Sequence, residues 1–515
     1  PILLGSFSKD FKDATYHISS LAYLLDLNPP NKSQLMDKIL MEVYTPYPHS
    51  IEREGIALKQ FGRIARFYCS TDIYRMHITN VMTMIINKID ANDPDMGVPL
   101  LNCLLCIVSF TPIAVIDEYK DKDFYSVTQP ALDAHLQNIR QGYHETEYND
   151  EFKYAFGVST TLFKPIVEAL ITKLFTFVPS KSEESLLFKI AQLFMILIES
   201  MDKNMFDFFS QNFISHLIDE SSYLNCKSPN VDIIAEITGY MLKRNGDLFP
   251  QLINMFSLKV DREVERSKGN VRSKQIQERD NKIVFCVRVL DEIFRCGMQQ
   301  IVEHKETVEQ ILFKFFDEVH NPPVDMISPT LVHNILFSLV YPEIIDFKLF
   351  PDDCKLSPEE KWGGFTSDER RFSPECMNFK WHLPTYEEVN YAISLSKKLV
   401  DYASTNITKI ISSEKLSILD KDKIQKYVMI LLHVISGLSE LFDSDYSEVK
   451  KNQRKKNLDS IGQNKEKLAI LNYVRKKSVD ANAIETGLEK ESAALGEHDD
   501  EGIDIDYDAA GNGNT

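Results

Sequence analysis

From Asn31 to Tyr44 the apolar side chains Leu35, Met36, Ile39, Leu40 and Val43 return every three to four positions. That spacing places them on one stripe of a helix with one buried face. Pro46 and Pro48 then end it, since proline lacks the amide the next turn needs. A second helix, about 51–68, carries Ile56, Leu58, Ile64, Ala65 and Phe67, and a third, about 71–90, carries Ile78, Val81, Met82, Ile85, Ile86 and Ile89. The same text continues through about 98–116, 128–140, 148–178, 183–200, 203–219, 230–245, 248–267, 274–298, 301–319, 328–341, 386–412 and 421–443. Clusters such as Asn92-Asp93-Pro94-Asp95 and Asn321-Pro322-Pro323 punctuate it, and no strand pattern interrupts it.

Starts of successive helix pairs recur at roughly forty residues, the period of HEAT or armadillo units. A single pair cannot bury its own apolar face, so neighbours must stack and the core grows along one direction. The predicted fold is therefore all-α, a HEAT/armadillo-like α-solenoid. Repeats occupy 1–341 and 385–445, interrupted by a long ordered connection at 342–384 and followed by a largely disordered segment at 446–515.

The connection holds Pro342, Pro351, Pro358, Pro374 and Pro384 among Phe347, Phe350, Trp362, Phe365, Phe372, Phe379 and Trp381. Its length is far beyond an ordinary helix–helix link, and its aromatics predict order, laid over the repeats. The last segment opens with Lys450, Lys451, Arg454, Lys455 and Lys456, which read either as a solvated charge run or as an address for nuclear import. A helix at about 464–477 follows. From Ala481 to Ala510, Glu485, Glu489, Glu491, Glu497, Asp499, Asp500, Glu501, Asp504, Asp506 and Asp508 face only Lys490, too little apolar surface to order the chain.

Composition narrows the function classes. With 515 residues the chain exceeds one ordinary core, and only 19 glycines argue against turn-dense sheets and phosphate-cradling loops. A formal charge of −18 repels nucleic-acid phosphates and anionic membranes. The apolar run Val98–Ile116 is broken by Pro99, Asn102, Ser109, Thr111 and Pro112, and reads as a buried helix rather than a membrane span. Cys103 and Cys106 are CxxC-spaced without a second ligand pair, so the eight cysteines read as small core hydrophobes in a reducing compartment. No GxxxxGK[ST], HExxH, GxSxG or GxGxxG word occurs, the histidines are scattered, and neither an enzyme nor a cofactor or metal site is expected. His77 and His333 are candidates for burial in the core.

The most specific word is Trp381-His382-Leu383-Pro384-Thr385-Tyr386-Glu387-Glu388-Val389. Thr385 and Glu388 form an S/T-x-x-E capping box, Pro384 fixes the entry, and Trp381, Leu383 and Tyr386 offer apolar surface to anchor it. With Lys361-Trp362-Gly363-Gly364 and the helical array, this word resembles the middle HEAT region of the BLM-type large proteasome activators. A weaker resemblance covers about 272–320, in Asp280–Ile293 and Val308–Phe315. In that family the resemblance implies a huge, non-catalytic, ATP-independent solenoid over the alpha-subunit ring of the proteasome core particle. It also implies gate opening by a C-terminal hydrophobic-Tyr-any tripeptide, ubiquitin-independent degradation of peptides and of acetylated histones, a part in DNA repair, and nuclear and cytoplasmic pools. Here the sequence starts at Pro1 and ends Gly511-Asn512-Gly513-Asn514-Thr515, and is read as a fragment without that tripeptide or the histone-reading module. The alternative reading is a nuclear-transport or vesicle-coat HEAT scaffold that holds cargo on its concave face.

Overall fold

The computed structural model describes residues 11–439 apart from 46–50, 71, 91, 112, 116, 145–149, 178–183, 220–227, 267–272, 318–321, 342, 349–377, 383 and 413–416. The helices are α1 Phe11–Asp26, α2 Lys32–Tyr44, α3 Ile51–Phe61, α4 Ala65–Ser70, α5 Asp72–Lys88, α6 Pro94–Phe110 and α7 Phe124–Arg140. They continue as α8 Asp150–Ser159, α9 Phe163–Phe177, α10 Glu184–Ser200, α11 Lys203–Ile218, α12 Ser228–Arg244, α13 Phe249–Arg266 and α14 Ser273–Arg295. Next come α15 Gln299–Glu303, α16 Lys305–Asp317 and α17 Pro322–Val340, strands β1 Glu343–Lys348 and β2 Asn378–His382, then α18 Tyr386–Ile411 and α19 Ile418–Gly437.

The architecture is an α-solenoid. One row of helices runs α6, α10, α12, α14, α17, α19, each packed on the next. The starts of α10, α12, α14 and α17, at Glu184, Ser228, Ser273 and Pro322, are about 45 residues apart. A second row covers it, with α9 between α5 and α11, α13 on α14, α16 on α17 and α18 on both α17 and α19. The predicted stripe of α2 is the buried one, with Met36, Ile39, Leu40 and Val43 at 1% exposure or less. The apolar run at α6 is likewise core: Asp93 caps it by accepting from the Met96 amide, Pro94 sits in its first turn, and Leu100, Leu104 and Ile107 are fully buried.

The period is also written in the polar contacts. Several of the side-chain hydrogen bonds that leave their own helix repeat it, joining Arg66 to Asp26, Tyr74 to Ser33, Cys69 to Thr111, Lys259 to Leu217, Met298 to Ser338 and Thr330 to Asp291 at separations of 39 to 42 residues, while others reach much further along the chain. Among the described residues, several links between helices are cationic caps. Lys173 Nζ donates to Ile89 O at 2.7 Å, Arg244 Nη2 to Met201 O at 2.5 Å, Lys259 Nζ to Leu217 O at 2.6 Å and Lys426 Nζ to Phe316 O at 2.6 Å. Each cation meets carbonyls at the negative end of a neighbouring helix, which have no acceptor role inside it.

The structure corrects several boundaries. Residues 148–178 are not one helix: the hydroxyls of Ser159, Thr160 and Thr161 donate back to the carbonyls of Phe156, Gly157 and Val158, and the chain tightens into a 3-10 turn at Thr160–Leu162. The 51–68 run breaks after Phe61, where Gly62 lies against α6 so closely that a Cβ would sit 2.8 Å from Cys103 Cα. The 301–319 run divides at His304, and α1 precedes the first helix assigned from the sequence.

Two strands also appear in text that showed no strand pattern. β1 and β2 pair antiparallel, Glu343 opposite His382 and Lys348 opposite Asn378, with a bulge between Ile344 and Asp346. The pairing is non-local and each strand is short, which is why neither stands out in sequence. The backbone of β1 runs back against α12 and α10, two helices of the first row far upstream of α17.

Candidate functional site

The signature word spans the end of β2 and the start of α18. Thr385 takes an extended conformation (φ −78°, ψ 162°), and its hydroxyl accepts the Glu388 amide at 3.2 Å. Glu388 Oε2 accepts the Thr385 amide at 2.7 Å, which completes the predicted box. The sequence did not show where the second carboxylate oxygen goes. Glu388 Oε1 lies 2.9 Å from His382 Nε2, a contact poorly aligned as a hydrogen bond. The Glu388 side chain is 1% exposed and that of His382 8%.

One buried carboxylate therefore ties the last residue of the ribbon to the first turn of the helix. Burial pushes the Glu388 carboxyl up, but contact with His382 and the two Thr385 bonds together outweigh it, and its pKa is lowered from the ordinary glutamate range. A paired histidine and carboxylate can serve acid–base chemistry. Here both carboxylate oxygens are engaged in holding backbone and ring, so the arrangement works as a clasp.

The other signature positions divide. Pro384 is half-buried at the entry. Tyr386, expected to help anchor that entry, points away from it and is 85% exposed, because the first turn turns its buried face through Glu388 instead. Trp381 lies opposite Ile344 in the ribbon by backbone register. Its side chain, Leu383, Trp362 and the basic positions Lys450, Lys451, Arg454, Lys455 and Lys456 lie outside the described residues. Thr385→Ala is expected to cost about 1 kcal/mol through the lost cap, read as faster amide exchange in the first turn of α18; unchanged exchange there would contradict it.

Further along, α18 is pinned to α16. Lys398 Nζ donates to both Glu309 oxygens at 2.8 and 2.9 Å, and Tyr402 OH donates to Asp317 Oδ1 at 2.5 Å.

A second polar cluster joins α2, α5 and α7. Tyr74 OH donates to Asp37 Oδ1 at 2.5 Å, and His144 pairs with the other Asp37 oxygen. Burial raises the Asp37 pKa, and the bonds from Tyr74 and His144 only partly offset it. His77, fully buried as suspected, is not solitary: its Nε2 meets His135 Nδ1 at 2.9 Å, and its Nδ1 meets Tyr44 OH at 3.1 Å. Burial pushes His77 well down and His135 down to about 4, so both rings stay neutral at ordinary pH and hydrogen-bond as a donor–acceptor pair. His333 is half-buried beside Ser436 Oγ at 3.0 Å. No group of three or more His, Cys, Asp or Glu among the described residues is placed to hold a metal ion. These contacts span 33 to 107 residues, beyond the reach of any local motif.

The family described as "Proteasome activator complex subunit 4, mid HEAT repeats region" matches residues 1–442. The chain is 33% identical over 498 residues to Proteasome activator BLM10 of Saccharomyces cerevisiae, an alignment that takes in 95% of this chain and 23% of that protein. The chain thus spans about a quarter of the length of that curated relative. A crystal structure of an engineered protein aligns with 85% of this chain and 98% of its own at 12% identity and a TM-score of 0.24, a likeness too slight to bear on the fold.

Proposed function

The chain belongs to the family of the middle HEAT-repeat region of the large proteasome activators, and from that premise we propose that it is a non-catalytic scaffold segment of such an activator. The observation that carries this reading is the match over residues 1–442, which includes the entire described array and its clasp. In the proposal the longer protein caps the alpha-subunit ring of the proteasome core particle and promotes degradation of peptides and proteins without ATP or ubiquitin. This segment contributes wall and curvature. Polar side chains that hold one element to another, Lys426 on α16, Asp37 on α5 and Glu388 on the ribbon, are consistent with that role. Gate opening belongs to another part of the longer protein, and so does any reading of acetylated histones. Residence in nucleus and cytoplasm and a part in DNA repair are included in the proposal.

The test uses the longer protein that carries this segment, mixed with purified latent core particles. The expected result is co-migration on a native gel and a rise in fluorogenic-peptide hydrolysis without ATP. No association with core particles, together with capture of a small GTPase or cargo peptide, would sink the proposal in favour of a transport scaffold.

A further inference from the structure

The β1–β2 ribbon departs from the rule by which the rest of the array is built. In a repeat array each unit touches its neighbours, so the long-range shape is the sum of small rotations at successive seams. Along the first row those seams lie between α10 and α12, α12 and α14, and α14 and α17. Only Tyr341 and Pro342 separate the end of α17 from the start of β1. Yet the backbone of β1 lies on α12 and α10, the second and third helices back along the row. Its six residues reach about 20 Å, roughly two of the spacings between packed helices, so one strand can bear on both.

The ribbon is rooted twice in the repeat it comes from. β1 continues from α17, and β2 pairs along β1, Lys348 opposite Asn378 and Glu343 opposite His382, before the chain enters α18. There His382 meets Glu388 in the first helical turn, and α18 is itself held to α16 by Lys398 on Glu309 and Tyr402 on Asp317. Two strands that exchange backbone hydrogen bonds make a stiffer span than one extended chain of the same reach.

We propose that the ribbon is a brace, which ties the α17–α18 repeat to α12 and α10 and holds the three intervening seams at one curvature. With it in place, rotation at any of these seams shifts the ribbon against its footing on α12 and α10. Without it, the seams turn independently. The Glu388 clasp fixes the angle at which the ribbon leaves α18. The brace belongs to this segment alone and stands apart from core-particle binding.

The test places nitroxide-labelled p-acetylphenylalanine at Gln211 on α11 and Ser404 on α18, both exposed, and reads their separation by double electron–electron resonance without core particles. A second pair, Ala134 on α7 with Gln211, is not separated by the braced seams. In one variant a Gly/Ser linker replaces residues 343–382. In another, Ile344→Pro with Phe379→Pro breaks the ladder and keeps the chain length, and it decides the question where the first fails to fold. Each is expected to broaden the Gln211–Ser404 distribution about twofold and to leave the Ala134–Gln211 pair unchanged. Glu388→Ala, which leaves both strands intact, should broaden the first pair by less. An unchanged Gln211–Ser404 distribution, with helicity retained by circular dichroism, overturns the inference. So does equal broadening of both pairs, which means that the array has loosened as a whole.

Discussion

Glu388→Ala should destabilise the junction between the ribbon and α18 by about 2 kcal/mol, the order of what stranding a buried hydrogen-bonding group costs. The substitution does three things at once. It strands the Thr385 amide, which loses its 2.7 Å acceptor, it leaves the His382 ring without its carboxylate, and it empties a space that is 1% exposed. Glu388→Gln keeps an acceptor for the Thr385 amide and should cost distinctly less, about 1 kcal/mol. In a repeat array global melting mixes many interfaces, so the reading is local amide exchange in β2 and the first turn of α18. Equal protection in wild type and Glu388→Ala would refute the clasp.

The same carboxylate carries a pH dependence with a definite sign. Its pKa is lower in the folded chain than in the unfolded one, so the unfolded state takes up the proton first. The contribution is full above the unfolded glutamate value, about 4.3, and is lost as pH falls through the lowered folded value. Local protection at this junction should therefore drop on acidification below that range in wild type and change less in Glu388→Gln.

Phe209→Ala is expected to cost about 3–5 kcal/mol. Phe209 is fully buried on α11, its ring 5.6 Å from that of Phe213 and 6.0 Å from Phe194 on α10. Phe213 in turn meets Phe175 on α9 at 5.4 Å, and His216 stacks on Phe175 at 5.0 Å. The run of rings joins three helices from two rows, so the cavity would open where neighbouring repeats meet. Phe209→Leu should cost markedly less, because it restores most of the volume. Hydrogen exchange should show the loss concentrated in α9, α10 and α11; a uniform loss across the array, or none, would contradict this.

The helical face of the chain was legible because its signal is local. Met36, Ile39, Leu40 and Val43 sit within one stripe, and Thr385 and Glu388 lie three residues apart, so periodicity and cap chemistry reach them. The Ser159-Thr160-Thr161 run could have warned of the break after α8, since adjacent hydroxyls compete for helix carbonyls. What sequence could not show is non-local: the His77–His135 pair, Asp37 with His144, and the second oxygen of Glu388 on His382. Tyr386 is the instructive error, for an apolar ring beside a cap says nothing about which side of the helix turns inward.

The ribbon alters how the chain can be made. Most helices here pack on partners close by in the array, and could dock as they leave the ribosome. β1 instead lies on α12 and α10, and it acquires its pairing partner only when His382 has been synthesised. At ordinary elongation rates that leaves the strip of α10 and α12 beneath β1 uncovered for on the order of ten seconds after Arg244 emerges. Nascent-chain chaperones should therefore engage this stretch in a window that opens after α12 and closes with β2.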